Sequence, residues 1–218
     1  MRSRFDMQLE ELCSQLIQMG AMTERAIASA VTALVDGDRE MARKAIALEE
    51  DANEKELLIE QLCLKLLMQQ QPVAKDLRLI SAVLKMITDM ERISDQAADI
   101  SEITLSMQVP GMQYLPKIKD MAKATIKMVT DSIDAFVKSD LDLAQAVVAY
   151  DDVVDDYFLE LRGELIRLIR EEPQSGETVV DLLMAVKYLE RIGDHATNIA
   201  EWVIFSITGV HQGEEPDR

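Results

Sequence analysis

Residues 91–102 read ERISDQAADISE, and residues 190–201 read ERIGDHATNIAE. Sliding the chain along itself by 99 residues places Glu91, Arg92, Ile93, Asp95, Ala97, Ile100 and Glu102 on identical residues, seven in a window of twelve. Agreement of that density is rare by chance and marks a duplicated unit. The fold must therefore be one in which a module of roughly a hundred residues is built twice and packed against itself.

The module is helical. Between residues 5 and 35, Leu9, Leu12, Leu16, Met19, Ile27, Val31 and Leu34 recur at three- and four-residue spacing, the stripe of an amphipathic helix. Asp36-Gly37-Asp38 stops that helix, because glycine supplies the left-handed cap and Asp38 can cap the next helix. A second helix runs over 39–70 and ends at Gln69-Gln70-Gln71-Pro72, where the residue before proline is pushed out of the α region. A third spans 74–107, and Val109-Pro110-Gly111 is the clearest break in the chain. The pattern then recurs. Pro116 sits in the first turn of a fourth helix that reaches Lys138, and Ser139-Asp140 caps a fifth extending to Arg170. Glu172-Pro173-Gln174-Ser175-Gly176 breaks it, and a sixth covers 178–207. Only 8 Gly and 5 Pro among 218 residues suit such long elements, and 4 % aromatic content makes the core aliphatic, with 13 Met. The expected fold is all-α: six long helices in two pseudo-symmetric, duplicated three-helix bundles, 1–109 and 112–207, followed by a polar tail, 208–218.

The formal net charge is −17, from 40 acidic and 23 basic residues. Such a surface repels phosphate backbones and anionic membranes, so nucleic acid is excluded as a partner; cations or a basic protein patch are the natural counterparts. Cys13 and Cys63 lie apart inside apolar helical stretches and read as reduced core residues. No stretch approaches eighteen apolar residues, and the N-terminus lacks an apolar signal core. The expectation is a cytoplasmic protein that does not insert into the membrane.

Helical positions four apart share a face, so Glu91, Asp95 and Asp99 form one acidic stripe, and Glu190, Asp194 and Asn198 another. In an antiparallel hairpin, Glu49, Glu50 and Asp51 of the second helix come to the level of Glu91 and Asp95. Asp151, Asp152 and Asp155 likewise reach the level of Glu190 and Asp194. Carboxylates gathered in this way need protonation, separation or cations, and all-oxygen donors suit Mg²⁺, Ca²⁺, Mn²⁺ or iron. The competing reading is a solvated acidic face, with Arg92 and Arg191 neutralising their neighbours. His195 follows Asp194 directly and points about 100° away round the helix, which argues against a ligand role. No phosphate-cradling glycine loop or nucleophile elbow is present, and two histidines leave no Ser/His/Asp set, so an enzyme is not expected.

The doubled ERI-[SG]-D phrase, the opening MRSRFDMQLEELCSQLIQMG and QQQPVAKDLRLISAVLKMITDMERISDQAADI together resemble the PhoU family. These are phosphate-transport accessory proteins that negatively regulate the bacterial phosphate-starvation response. The likeness runs over roughly 1–207, with GETVVDLLMAVKYLERIGD as a degraded second copy of the PVAKDLR-to-ERI segment. It implies two pseudo-symmetric three-helix bundles with an E(D)xxxD motif on the second and third helix of each. Some members bind multinuclear iron or other metal clusters there; zinc, manganese, magnesium and calcium are the alternatives. Carried over, the motif is Glu91 with Asp95, Glu190 with Asp194, and Asp151 with Asp155. On the second helix Glu49 falls in register, but its partner position is Asn53, which offers an oxygen with one charge fewer. The implied partners are the ATPase subunit of a phosphate-specific ABC transporter and a membrane sensor histidine kinase, with a homodimer as the expected assembly. The alternatives are a metal-storage helical protein and a carboxylate-bridged metalloprotein; the latter needs Glu-x-x-His pairs on facing helices, which are absent.

Overall fold

The computed structural model describes residues 2–70, 73–107 and 115–210. Six helices follow in order: α1 (Arg2–Asp36), α2 (Arg39–Gln70), α3 (Ala74–Ser106), α4 (Leu115–Lys138), α5 (Leu141–Glu171) and α6 (Gly176–Thr208). A 3₁₀ turn, Pro173–Ser175, leads directly into α6, which therefore starts two residues earlier than the breaker cluster suggested. Helix α1 also starts earlier than its apolar spacing indicated, with Phe5 buried in its first turns. The Val109-Pro110-Gly111 break, Gln71-Pro72 and tail residues 211–218 lie outside the described residues.

The turn after the first helix recurs in the second repeat. Gly37, at φ 70°, closes α1, and Asp38 Oδ1 accepts from the Glu40 and Met41 amides at 2.9 and 3.1 Å. An offset of 102 residues carries this onto Ser139, at φ 50°, and Asp140, whose carboxylate accepts from the Leu143 amide at 3.0 Å. Serine in the left-handed region is strained where its counterpart is glycine. Ser139→Gly is expected to stabilise the protein by about 0.5–1 kcal/mol, measured by urea denaturation. A loss of stability would show that the Ser139 side chain contributes more than its backbone strain costs.

Within each repeat all three helices touch one another, α1 with α2 and α3, and α4 with α5 and α6. Between repeats, α3 packs on α6 and α1 on α4. Lys85 lies over the Trp202 ring, Asp89 meets His195, and Asp99 faces Tyr188, so numbers rise along α3 as they fall along α6. Helices α1 and α4 are likewise antiparallel, with Thr130 donating to Glu24 at 2.8 Å and Gly20 against Ile133. A side chain at Gly20 would begin 2.5 Å from Ile133 Cδ1, which is why the two helices approach so closely there. The two repeats are thus related by an approximate two-fold axis crossing the α3–α6 seam. Helices α2 and α5 are left on the outside: among the described residues α2 touches only α1 and α3, and α5 only α4, α6 and the 3₁₀ turn.

The core is aliphatic throughout. Leu12, Leu16, Ile27 and Leu34 of α1 and Leu182, Leu189, Ile192 and Ile199 of α6 are all buried. Both motif isoleucines, Ile93 and Ile192, are fully buried, and both motif arginines are exposed. The ERI-x-D phrase is therefore half core and half surface, and its carboxylates sit on the border.

Candidate functional site

That border forms a groove in each repeat, between α2 and α3 in the first and between α5 and α6 in the second. In the first, Glu91 is held at 18 % side-chain exposure. Burial raises its carboxyl above the usual range; Arg92 opposes the shift, while Glu56, Asp95 and Glu49 reinforce it. Arg92 stands 3.6 Å from Glu91 and 3.8 Å from Asp95 and is itself 58 % exposed, so solvent weakens both pairs. Along α2 Asn53 donates to Glu49 at 3.0 Å, and across the groove Thr88 donates to Glu56 at 3.0 Å.

The second groove is more crowded. Partial burial, followed by the charges of Glu190 and Asp151, pushes the Asp194 carboxyl up to about 6. Burial and then Asp155 raise Asp151 in the same direction. Gly193 makes room for this approach: a Cβ there would meet Val154 Cγ1 at 3.3 Å and Asp151 Oδ1 at 3.6 Å. Lys187 is the local counter-ion, paired with Glu190 and lying 5.2 Å from the centre of the Phe158 ring.

The seven carboxylates at the motif positions lie in these grooves: Glu49, Glu91 and Asp95 in one, and Asp151, Asp155, Glu190 and Asp194 in the other. Two further groups join them. Glu56 is legible in the sequence as the residue seven after Glu49, two turns along the same face. Lys187 is legible as the basic residue three before Glu190. Glu50, Asp51 and Asp152 are solvent-exposed, as are the groove residues Asp155 and Asp194. The predicted stripes also divide, because Asp99 faces Tyr188 and Arg191 of α6 rather than α2. Asn198 does the equivalent, donating to Asp89 of α3 at 3.2 Å, where His195 Nδ1 also lies, 2.8 Å from the same oxygen. The lone motif histidine therefore joins the two repeats and stands apart from the carboxylate groove. No sequence signal points to this contact, because it is between repeats.

Among the described residues, no three His, Cys, Asp or Glu side chains lie close enough together to hold a metal ion as placed. The donor chemistry suits a hard cation, but a ready-made coordination shell is not formed. The grooves do offer concentrated negative charge, partly withdrawn from water, on two equivalent surfaces.

Comparison with known proteins agrees with this architecture. The PhoU domain model matches twice, over residues 16–104 and 118–203. The chain belongs to the PhoU family. The phosphate-specific transport system accessory protein PhoU homolog of Pseudomonas putida is 36 % identical over 208 residues, covering 94 % of this chain and 81 % of that protein. The PhoU accessory protein of Escherichia coli strain K12 is 30 % identical over 207 residues, covering 94 % and 86 %. The crystal structure of PhoU from Pseudomonas aeruginosa superposes with a TM-score of 0.91 at 34 % identity, over 94 % of this chain and all of that one. The phosphate transport system regulatory protein PhoU from Streptococcus pneumoniae gives 0.88 at 27 % identity, over 95 % and 98 %. The two PhoU matches centre on the two repeats, and the acidic grooves of this PhoU-family chain lie within them.

Proposed function

We propose that the chain is a non-catalytic, cytoplasmic accessory protein of phosphate transport that restrains the phosphate-starvation response by contact. Its counterparts are the ATPase subunit of the transporter and a sensor histidine kinase. The observation that carries this reading is the full-length likeness to proteins named as phosphate transport accessory and regulatory proteins. The acidic grooves support it physically: no helix of the described residues is long and apolar enough to cross a membrane, so a link to a membrane complex must be made through surface contacts. Deleting the gene should raise alkaline phosphatase activity in phosphate-replete cells of the native bacterium, and a copy in trans should restore repression. Unchanged activity in the deletion would reject the negative-regulator role while leaving the family assignment intact.

The raised Asp194 carboxyl favours a second function for the same grooves, the binding of a hard divalent cation after side-chain rearrangement. A cation bound only by the folded state stabilises it by mass action, by about 2.7 kcal/mol at a hundredfold excess over its dissociation constant, and so raises the melting temperature. Saturating Mn²⁺ or Fe²⁺ is therefore expected to shift the melting temperature upward. No shift with either ion would leave the grooves as protein-docking surfaces only.

A further inference from the structure

Beside each acidic groove runs an apolar stripe that no part of the described fold covers. On α2, Leu57 and Leu64 are 55 % and 47 % exposed; on α5, Leu159 and Ile166 are 57 % and 38 % exposed. The offset of 102 residues that aligns Glu49 and Asn53 with Asp151 and Asp155 also aligns Leu57 with Leu159 and Leu64 with Ile166. At about 100° per residue, Leu57 and Leu64 lie some 60–80° round α2 from Glu49, on the side away from the buried Ile59 and Leu66. The acidic row and the apolar stripe are therefore neighbours on one outer face, and α5 repeats the apolar positions and the Asp151/Asp155 pair, with Arg162 where α2 has Glu60.

A single exposed leucine is ordinary. Two stripes at equivalent positions, each beside carboxylates partly withdrawn from water, are a surface kept twice. Leu64 has diverged from Ile166 yet both remain apolar and exposed, although the core needs neither. The spacing of seven, two helical turns, is that of anchors for a helix laid along the groove. The charge decides what such a helix carries. At a net charge of −17, a second copy would bring the same acidic grooves against each other, and an anionic lipid surface would be repelled. A basic amphipathic helix of another protein is complementary on both counts.

We infer that the chain is a bivalent clamp. One molecule engages two basic amphipathic helices related by a two-fold axis, one per groove, as a homodimeric protein or two copies of one subunit would present them. Apolar side chains rest on Leu57 and Leu64 or on Leu159 and Ile166, and basic ones meet the carboxylates. The pseudo-two-fold axis of the chain then coincides with the axis of its partner, which gives the duplication a use beyond packing. This deepens the contact-acting role proposed above and rests on it. Any self-association of the chain must use another surface.

The test uses the full chain, with the purified ATPase subunit of the same bacterium's phosphate transporter as the probe. Calorimetry and light scattering should give one chain per two ATPase subunits. Leu57→Glu and Leu159→Glu, each with unchanged circular dichroism, should move the ratio to one per one and weaken apparent affinity by about a hundredfold as avidity is lost. The double variant should not bind. A wild-type complex at one per one, or indifference to either single substitution, overturns the clamp while leaving the accessory role standing. No wild-type complex at all removes the ATPase as partner and the clamp with it. A chain that dimerises alone and is dissociated by Leu57→Glu would show that the stripe is a self-association surface, which also overturns the inference.

Discussion

Replacing Ile192 with alanine is expected to lower the melting temperature by about 10 °C while the six helices persist at low temperature. Ile192 is fully buried in the layer where α6 meets the rest of its repeat, as Ile93 is in the first repeat. Truncating a buried isoleucine to alanine costs about 2–5 kcal/mol, through lost transfer energy and the cavity left behind. For a chain of this size, each kilocalorie is worth about 2–4 °C. Ile192→Val should cost far less, about 0.5–1.5 kcal/mol, and Ile93→Ala should resemble Ile192→Ala because the two occupy equivalent places. Differential scanning calorimetry measures all three. A melting temperature for Ile192→Ala within a degree or two of the native value would mean that the motif isoleucine adds little to the core, and that the phrase is repeated for its surface alone.

Asp194→Asn is expected to have the opposite sign, stabilising the protein at neutral pH and removing the second groove's share of its response to divalent cations. The Asp194 carboxyl is raised from 3.8 to about 6 in the folded state, by partial burial first and then by Glu190 and Asp151. The folded protein therefore binds this proton more tightly than the unfolded chain does. Well below pH 3.8 the group is protonated in both states and contributes nothing. As pH rises from about 4 to about 6 the unfolded chain ionises first, so stability falls, and above pH 6 the full cost persists. Uncorrected, the shift corresponds to about 3 kcal/mol, but Asp194 is solvent-exposed as a residue, and screening reduces the cost to about 1 kcal/mol. Asn has no charge to penalise. The difference between variant and native stability should therefore be near zero at pH 3 and reach its maximum above pH 6. A difference that is flat across pH 4–8 would show that Asp194 titrates normally. Melting curves with and without Mn²⁺ separate the two roles of the residue: the native chain should gain stability from the ion at both grooves and Asp194→Asn at the first alone.

Much of the fold and most of the grooves are legible in the amino-acid sequence. Helix stops at Asp36-Gly37-Asp38 and Ser139-Asp140 fall where they are expected, because a left-handed residue followed by a capping aspartate is a local signal. The carboxylate pairs can be assigned to common grooves because both helices of each hairpin are long and the turns between them short, so that distance from the turn along the chain converts directly to height. Glu56 and Lys187 carry only weaker signals, for different reasons. Glu56 lies two helical turns from Glu49 instead of one, and a basic residue three positions away is a weak signal in a charged helix. The sharing of Asp89 by His195 and Asn198 has no local signal at all. These residues are more than a hundred positions apart, on helices whose mutual packing no local pattern encodes.

The sequence by itself determined six amphipathic helices, most of their ends, their duplication and the carboxylates that share each hairpin, since all of these come from periods and distances along one chain. Only the tertiary structure decided how the two repeats meet. Small residues such as Gly20 let α1 reach α4, and α3 lies antiparallel on α6, so the outer helices α2 and α5 are left with matched acidic and apolar strips facing solvent. A surface of that kind is the remainder after packing. It is known only once every contact between helices has been made.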